Sequence, residues 1–168
     1  EIGVRLVGSE MCIRDSGSPL LATSEDETRA IAAVTSEFKN LKETDALVLM
    51  GHGTTHQINT AYSELDRHFK SLGHSNVFIG TVEADPTIHD LVKEVTEFHP
   101  TAIYLTPFMI VAGDHAHHDM AGDSPDSWVG QFHAAGFEVC PVIKGLGEYT
   151  GIRAIFIDHI KKAISMLH

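Results

Sequence analysis

The sequence predicts an α/β fold: a parallel sheet of about four strands with helices on both faces. Three observations predict it. First, residues 46–50 (ALVLM), 77–82 (VFIGTV) and 102–105 (AIYL) are nearly unbroken apolar runs, the pattern of strands buried on both faces. Second, stretches with apolar residues at helical spacing separate these runs. Regular alternation of helix and strand implies parallel strands joined by crossovers. Third, each run leads into glycine and a histidine or carboxylate: Gly51-His52-Gly53, then Gly80 through Glu83, then Gly113-Asp114-His115. Ligands of such sheets sit beyond the carboxyl ends of the strands. One sheet can therefore bring His52, Glu83 and His115 into one crevice, however far apart they are in sequence.

Residues 1–16 (EIGVRLVGSEMCIRDS) show little periodicity and resemble translated sequencing-adaptor sequence. They are set apart from the fold as a non-native segment, although residues 3–7 also read as an edge strand. The domain is expected over 17–168. Thr23-Ser24-Glu25-Asp26-Glu27 reads as a helix start, a hydroxyl cap followed by acids. Ile31, Val34, Phe38 and Leu41 continue it as one apolar stripe, with Lys39 and Lys42 near its end. After the strand at 46–50, a helix is expected from about Thr54-Thr55. It carries Ala61, Tyr62, Leu65 and Phe69 and stops at Gly73. After the strand at 77–82, Asp85-Pro86 reads as a cap with proline at the first helical position. Ile88, Leu91, Val92, Val95 and Phe98 make that helix's apolar face, and His99-Pro100 ends it.

The strand at 102–105 is prolonged by residues 107–111 toward the crevice. Residues 113–126 are polar, rich in acids and histidines, and read as a functional loop. A helix is expected over 127–135, ending at Gly136. Residues 137–143 make a fourth strand, placed near an edge by Pro141. Gly145-Leu146-Gly147 reads as a flexible turn. The last helix carries Ile152, Ile155, Phe156, Ile160, Ala163, Ile164 and Leu167 at helical spacing.

At 168 residues the chain has the size of one ordinary domain. With 43% hydrophobic and 21% charged residues it has apolar material enough for a core. A net charge of -11 argues against non-specific nucleic-acid binding, which needs clustered cations. No stretch approaches the length of a membrane span, and no export signal is evident. Cys12 and Cys140 form no CxxC pair and no disulfide framework, so a cytoplasmic setting is expected.

Two imidazoles and a carboxylate suit a borderline divalent ion such as Co, Ni, Fe or Zn. Three protein ligands leave positions open for water or substrate. Each residue also has a plainer reading. His52 alone could be a turn histidine bonded to the backbone. Glu83 ends an apolar strand, where an unpaired carboxylate is costly, and could be half of a salt bridge. His115 stands among Asp114, His117, His118 and Asp119 and could be a solvated loop group. His56 reads as a rim residue, and His117 and His118 as auxiliary ligands or solvent-facing side chains. Cys140 is expected to be a small buried strand residue, and Trp128 a core residue rather than a pocket wall.

Several short motifs occur together and in order: Met50-Gly51-His52-Gly53, Val82-Glu83-Ala84-Asp85-Pro86, Val111 through Ala116, Asp119-Met120-Ala121, Asp126-Ser127-Trp128 and Gly145-Leu146-Gly147-Glu148. This set resembles the anaerobic-type sirohydrochlorin cobaltochelatases, the CbiK-type class II chelatases, from about Pro19 onward. In that family a histidine, a glutamate and a second histidine bind the divalent metal. Position by position these fall on His52, Glu83 and His115. The resemblance implies insertion of Co(II) into sirohydrochlorin, or a related precorrin, in anaerobic cobalamin biosynthesis. His52 would be metal ligand and proton acceptor, with Glu83 and His115 as further ligands. Co(II) is then the substrate metal, Ni or Fe are other candidates, and no organic cofactor is implied. Phe108-Met109-Ile110 would support the face of the tetrapyrrole, and Lys144 or helix N-termini would meet its carboxylates.

Members of that family are two-domain chains with similar α/β halves facing a cleft, and this sequence matches the second half. The resemblance therefore implies an N-terminally truncated form, completed by a missing N-terminal half or by a homo-oligomer. It also leaves export of a full-length protein open. Two rival readings stand beside it. Phosphoglycerate-mutase-like enzymes also place a histidine after a strand, but need an arginine just before it, where this chain has Met50-Gly51. A non-catalytic metal- or tetrapyrrole-binding module would use the same ligands.

Overall fold

Buried on every residue, the segment Ala46–Gly51 (β1) forms the inner part of a four-stranded sheet. A computed structural model describes residues 18–53 and 60–166. The expectations for residues 1–16, the helix start near Thr54 and the rim position of His56 lie outside the described residues. Around β1 are arranged β2 (Val77–Thr81), β3 (Ile103–Pro107) and β4 (Val139–Pro141). All pairings are parallel, and the order is β2-β1-β3-β4. In the register, Met50 stands opposite Gly80 on one side and Pro107 on the other. From β1 the chain moves outward to β2, then crosses back over β1 to β3. A reversal of this kind opens a crevice at the carboxyl ends of the strands.

Helices alternate with the strands along the chain, as the pattern predicts. They are α1 (Ser24–Glu37), α2 (Thr60–Ser71), α3 (Ile88–Phe98), α4 (Trp128–Ala134) and α5 (Thr150–Ser165). By contact the chain forms two compact units. Phe38–Glu148 holds the sheet with α2, α3 and α4, and the other unit holds α1 and α5. In the sheet unit one core joins Val48, Met50, Phe78, Leu91, Val95, Leu105, Met120, Trp128 and Phe132. Trp128 is thus a core residue, as expected. In the other unit α1 packs on α5, and Ile31, Val34, Ile152 and Ile155 are buried.

The boundaries follow local chemistry. Thr23 Oγ1 accepts the Asp26 N–H at 3.1 Å and so caps α1. That helix stops at Glu37, before Phe38 and Leu41, because Leu41 and Asp45 close turns onto Phe38 and Lys42 instead. The expected cap at Asp85-Pro86 is displaced. This peptide bond is cis, and Thr87 caps α3 in a reciprocal capping box with Asp90. His99 ends α3 in the left-handed region, as His99-Pro100 predicts. Ser127 caps α4, accepting the Gly130 N–H at 3.0 Å. The fourth strand shrinks to three residues on the sheet edge, and Cys140 is exposed there rather than buried. An edge strand this short has too little cover to bury both of its faces. On α5 the buried positions are 152, 155 and 159, while Ile160 and Ile164 are exposed. A histidine holds a place on the buried face that the apolar pattern gave to isoleucine.

Candidate metal centre at the carboxyl edge of the sheet

The ladder between β1 and β2 continues past their last strand residues. The Val82 N–H donates to the Gly51 carbonyl and the Glu83 N–H to the His52 carbonyl, each at 3.0 Å. These bonds set His52 and Glu83 side by side, and His52 Nδ1 lies 3.6 Å from Glu83 Oε2. The glycines around His52 have separate causes. Gly53 has φ of 84°, a region open to glycine at little cost. A Cβ on Gly51 would stand 2.3 Å from the Tyr62 ring. Tyr62 therefore lies against the backbone of this turn, and its hydroxyl accepts the Gly53 N–H at 3.4 Å.

On the other flank of β1, the Phe108 N–H donates to the Met50 carbonyl at 2.7 Å. Residues 108–111 do not prolong β3. Phe108 is buried and Met109 packs on the core, but Ile110 and Val111 turn outward and are 46% and 71% exposed. The Gly-Leu-Gly-Glu segment holds this stretch. The Leu146 N–H donates to the Met109 carbonyl at 2.8 Å and the Gly147 N–H to the Ile110 carbonyl at 3.0 Å. Glu148 Oε1 accepts the Gly145 N–H at 2.8 Å. A Cβ on Gly145 would fall 2.6 Å from the Ile110 carbonyl oxygen. The segment is a 3-10 turn over Leu146–Glu148 that clamps its neighbour, not the flexible turn its glycines predict.

Within the stretch 113–126, expected from sequence to be a functional loop, the chain enters a π-helical turn over His115–Met120. Such turns gather at functional sites. Ala116 and Met120 are buried and anchor the turn in the core, while His115 and Asp119 stay partly exposed. His52, Glu83 and His115 each bring one ligating atom to within 4.8 Å of the others. The two imidazoles meet edge to face, with ring centroids 4.8 Å apart. His52 Nδ1 donates to the Gly53 carbonyl at 3.1 Å, so Nε2 keeps its lone pair. Metal bonds of about 2.0–2.2 Å separate opposite ligands by roughly 4.4 Å at most. Closing this group on an ion needs shifts of a few tenths of an ångström.

All three residues predicted from sequence therefore converge. Glu83, expected at the buried end of an apolar strand, lies two residues beyond β2 and is about half exposed, so burial cost is not what marks it. His117 and His118 face solvent, and His118 Nδ1 donates to the Asp114 carbonyl at 3.2 Å. An open cavity of about 500 Å³ adjoins the π-turn, lined by Ile110, Val111 and Ile143 with His117 and Glu148. Tyr62, the Gly145 clamp and Asp119 were not singled out as site residues in the sequence. For Asp119 a signal exists, its spacing of four from His115, which aligns side chains on one face of a helical turn.

The profile of the cobalt chelatase (CbiK) family matches residues 12–165. The chain belongs to this family. It is 38% identical over 150 residues to the sirohydrochlorin cobaltochelatase of Salmonella typhimurium, covering 89% of this chain and 56% of that protein. With the sirohydrochlorin cobaltochelatase CbiKC of Nitratidesulfovibrio vulgaris it shares 36% over 152 residues, 90% of this chain and 54% of the relative. This cobalt chelatase family member thus spans about half the length of the curated relatives it matches. Among its described residues no helix is long and apolar enough to cross a membrane.

Proposed function

We propose that this chain carries the metal-handling part of a sirohydrochlorin cobaltochelatase, with His52, Glu83 and His115 as the ligands of the incoming Co(II). The convergence of these three side chains at the carboxyl edge of the sheet, in a member of the cobalt chelatase family, is the observation that carries the reading. Sirohydrochlorin enters as substrate through the names of the relatives.

Insertion exchanges two pyrrole N–H protons for one divalent ion, so the centre must hold the ion loosely and accept protons. Two half-exposed side chains and a third on a π-turn leave coordination positions open toward solvent. The Nε2 of His52, with its lone pair, can accept a proton beside those positions. Glu83 balances part of the ion's charge and draws cations to the edge of an acidic protein. The outward Ile110 and Val111, with the cavity beside them, offer an apolar shelf for a flat macrocycle. Lys144 in the neighbouring segment meets its carboxylates. The donor set itself also accepts Ni(II) and Fe(II); cobalt rests on the family.

Spectrophotometry of sirohydrochlorin with Co(II) tests this, comparing the chain with its His52→Ala and His115→Ala variants. The parent should convert the free-ring spectrum to that of the metallated ring, and both variants should not. Co(II) binding that depends on His52 and His115, without metallation of the ring, would replace the chelatase reading with that of a metal-binding module. No Co(II) binding by the parent would defeat the ligand assignment.

A further inference from the structure

Asp119 belongs to a sequence motif, Asp119-Met120-Ala121, that the three-ligand reading leaves without a role. It stands four residues after His115 on the same π-helical turn. Its Oδ2 lies 2.5 Å from His115 Nδ1, inside the roughly 2.7–2.9 Å usual for a charge-assisted N–H···O bond. Both side chains are partly exposed, so burial does not force the contact. Met120, next to Asp119, is wholly buried and fixes where the carboxylate can reach. At the end of the turn the Gly122 N–H donates to the His118 carbonyl at 3.2 Å, and a Cβ on Gly122 would fall 2.4 Å from that oxygen. The backbone that carries the pair is thus tightly closed.

We propose that Asp119 is a positioning residue that sets the tautomer and ring orientation of His115. The inference rests on the metal-centre reading above and extends it by one shell. An ionised carboxylate only accepts hydrogen bonds, so Nδ1 carries the hydrogen and Nε2 carries the lone pair. His115 is then committed to ligate through Nε2, with its ring held against rotation. The carboxylate also raises the basicity of that nitrogen toward a metal ion. His52 reaches the same state by a weaker device, the Gly53 carbonyl. Both imidazoles thereby present Nε2, but His115 does so through a hydrogen bond to a carboxylate, whereas Glu83 stands 3.6 Å from His52 Nδ1.

The test uses this chain with Co(II) alone as the probe, in the parent and in the Asp119→Ala, Asp119→Asn and His52→Ala variants. Long-range proton–nitrogen NMR at pH 8, without metal, reads the His115 tautomer. Co(II) titration followed by absorption reads the affinity. The parent should show His115 protonated on Nδ1. Asp119→Ala should lose that preference and weaken Co(II) binding by about 10–100-fold. Asp119→Asn, whose amide oxygen still accepts the Nδ1 hydrogen, should restore the tautomer and most of the affinity. An unchanged tautomer in Asp119→Ala, affinity within twofold of the parent, or Asp119→Asn as weak as Asp119→Ala would each overturn the proposal. A parent that binds no Co(II), or binds it equally well after His52→Ala, would instead defeat the metal-centre reading. The metal-free tautomer would still decide whether Asp119 governs His115.

Discussion

His159 on α5 and His52 at the end of β1 each stand near a carboxylate, and little else about them is alike. His159 Nε2 lies 3.0 Å from Asp26 Oδ1 and Nδ1 lies 3.1 Å from the Ser18 carbonyl oxygen. The two side chains are 3% and 6% exposed. Both neighbours only accept, so while Asp26 is ionised both ring nitrogens carry hydrogen and neither has a lone pair to offer. His52 has one nitrogen on the Gly53 carbonyl and the other without a partner among the described residues, with Glu83 3.6 Å away and both side chains about half exposed. The difference teaches that saturation of the ring nitrogens, more than nearness to a carboxylate, separates a structural histidine from a chemical one. Two acceptors and burial make His159 a fixed cross-link between α1 and α5. One acceptor and exposure leave His52, and by the same logic His115, able to take a ligand.

The contrast breaks most visibly at His159. In His159→Ala the Asp26 carboxylate stays buried without its imidazolium, while Arg29 at 3.9 Å is too distant to replace that bond. Loss of one partner of a buried pair costs about 3–5 kcal/mol, and urea unfolding should register it. A loss below about 1 kcal/mol would mean that the pair is not a fixed ion pair. Next in size is Gly145→Ala. Its Cβ meets only backbone atoms of residues 110–112, all within 2.9 Å, and these cannot yield cheaply. The expected cost is about 1–3 kcal/mol, together with weaker Co(II) binding, because the clamp holds the approach to His115. Unchanged stability and affinity would show that the Gly-Leu-Gly-Glu segment has no such hold.

Acid should sharpen the same contrast more gently. Burial pushes the Asp26 carboxyl up, but hydrogen bonds from Thr23 and His159 and the charges of His159 and Lys162 outweigh it. The net result lies below the ordinary value of 3.8. A depressed carboxyl contributes stability that is present above its unfolded value and lost as pH falls through its folded value. The stability difference between the parent and Asp26→Asn should therefore hold at pH 6 and shrink below about pH 4. A difference that stays constant down to pH 3 would sink this assignment. The smallest effect on stability belongs to His52→Ala and His115→Ala. As exposed side chains they should shift unfolding by within about 0.5 kcal/mol. Their Co(II) binding should nevertheless fall by more than the roughly 100-fold typical of outer-shell changes. Equal losses of stability and metal binding would erase the distinction between the two kinds of histidine.

Much of the sheet unit was legible in the chain. Strands buried on both faces cannot tolerate interior charge, so 46–50, 77–82 and 102–105 read as strands without any tertiary knowledge. The three converging residues were legible because parallel strands place their carboxyl ends on one edge, which the alternation of elements implies. Less legible were places where a short motif acts through a distant backbone. Gly145 reads as freedom to turn until the Ile110 carbonyl stands against it. His159 falls at a helical position next to Ile160, and hydropathy assigns the buried face to the isoleucine. Only Asp26, more than a hundred residues earlier in the chain, reverses the choice. Cys140 looks like a core residue until its strand proves to be a three-residue edge.

By itself, then, the sequence determined the α/β class, the parallel direction of the strands and the identity of the three converging side chains. Each of these follows from local rules: periodicity, the intolerance of buried strands for charge, and the handed crossovers of parallel sheets. Tertiary structure alone decided that Asp119 lies against His115, that Gly-Leu-Gly-Glu is a clamp, and that His159 rather than Ile160 is buried on α5. The physical reason is that a hydrogen-bond acceptor or a close backbone contact has a definite position in space but leaves no period in the chain.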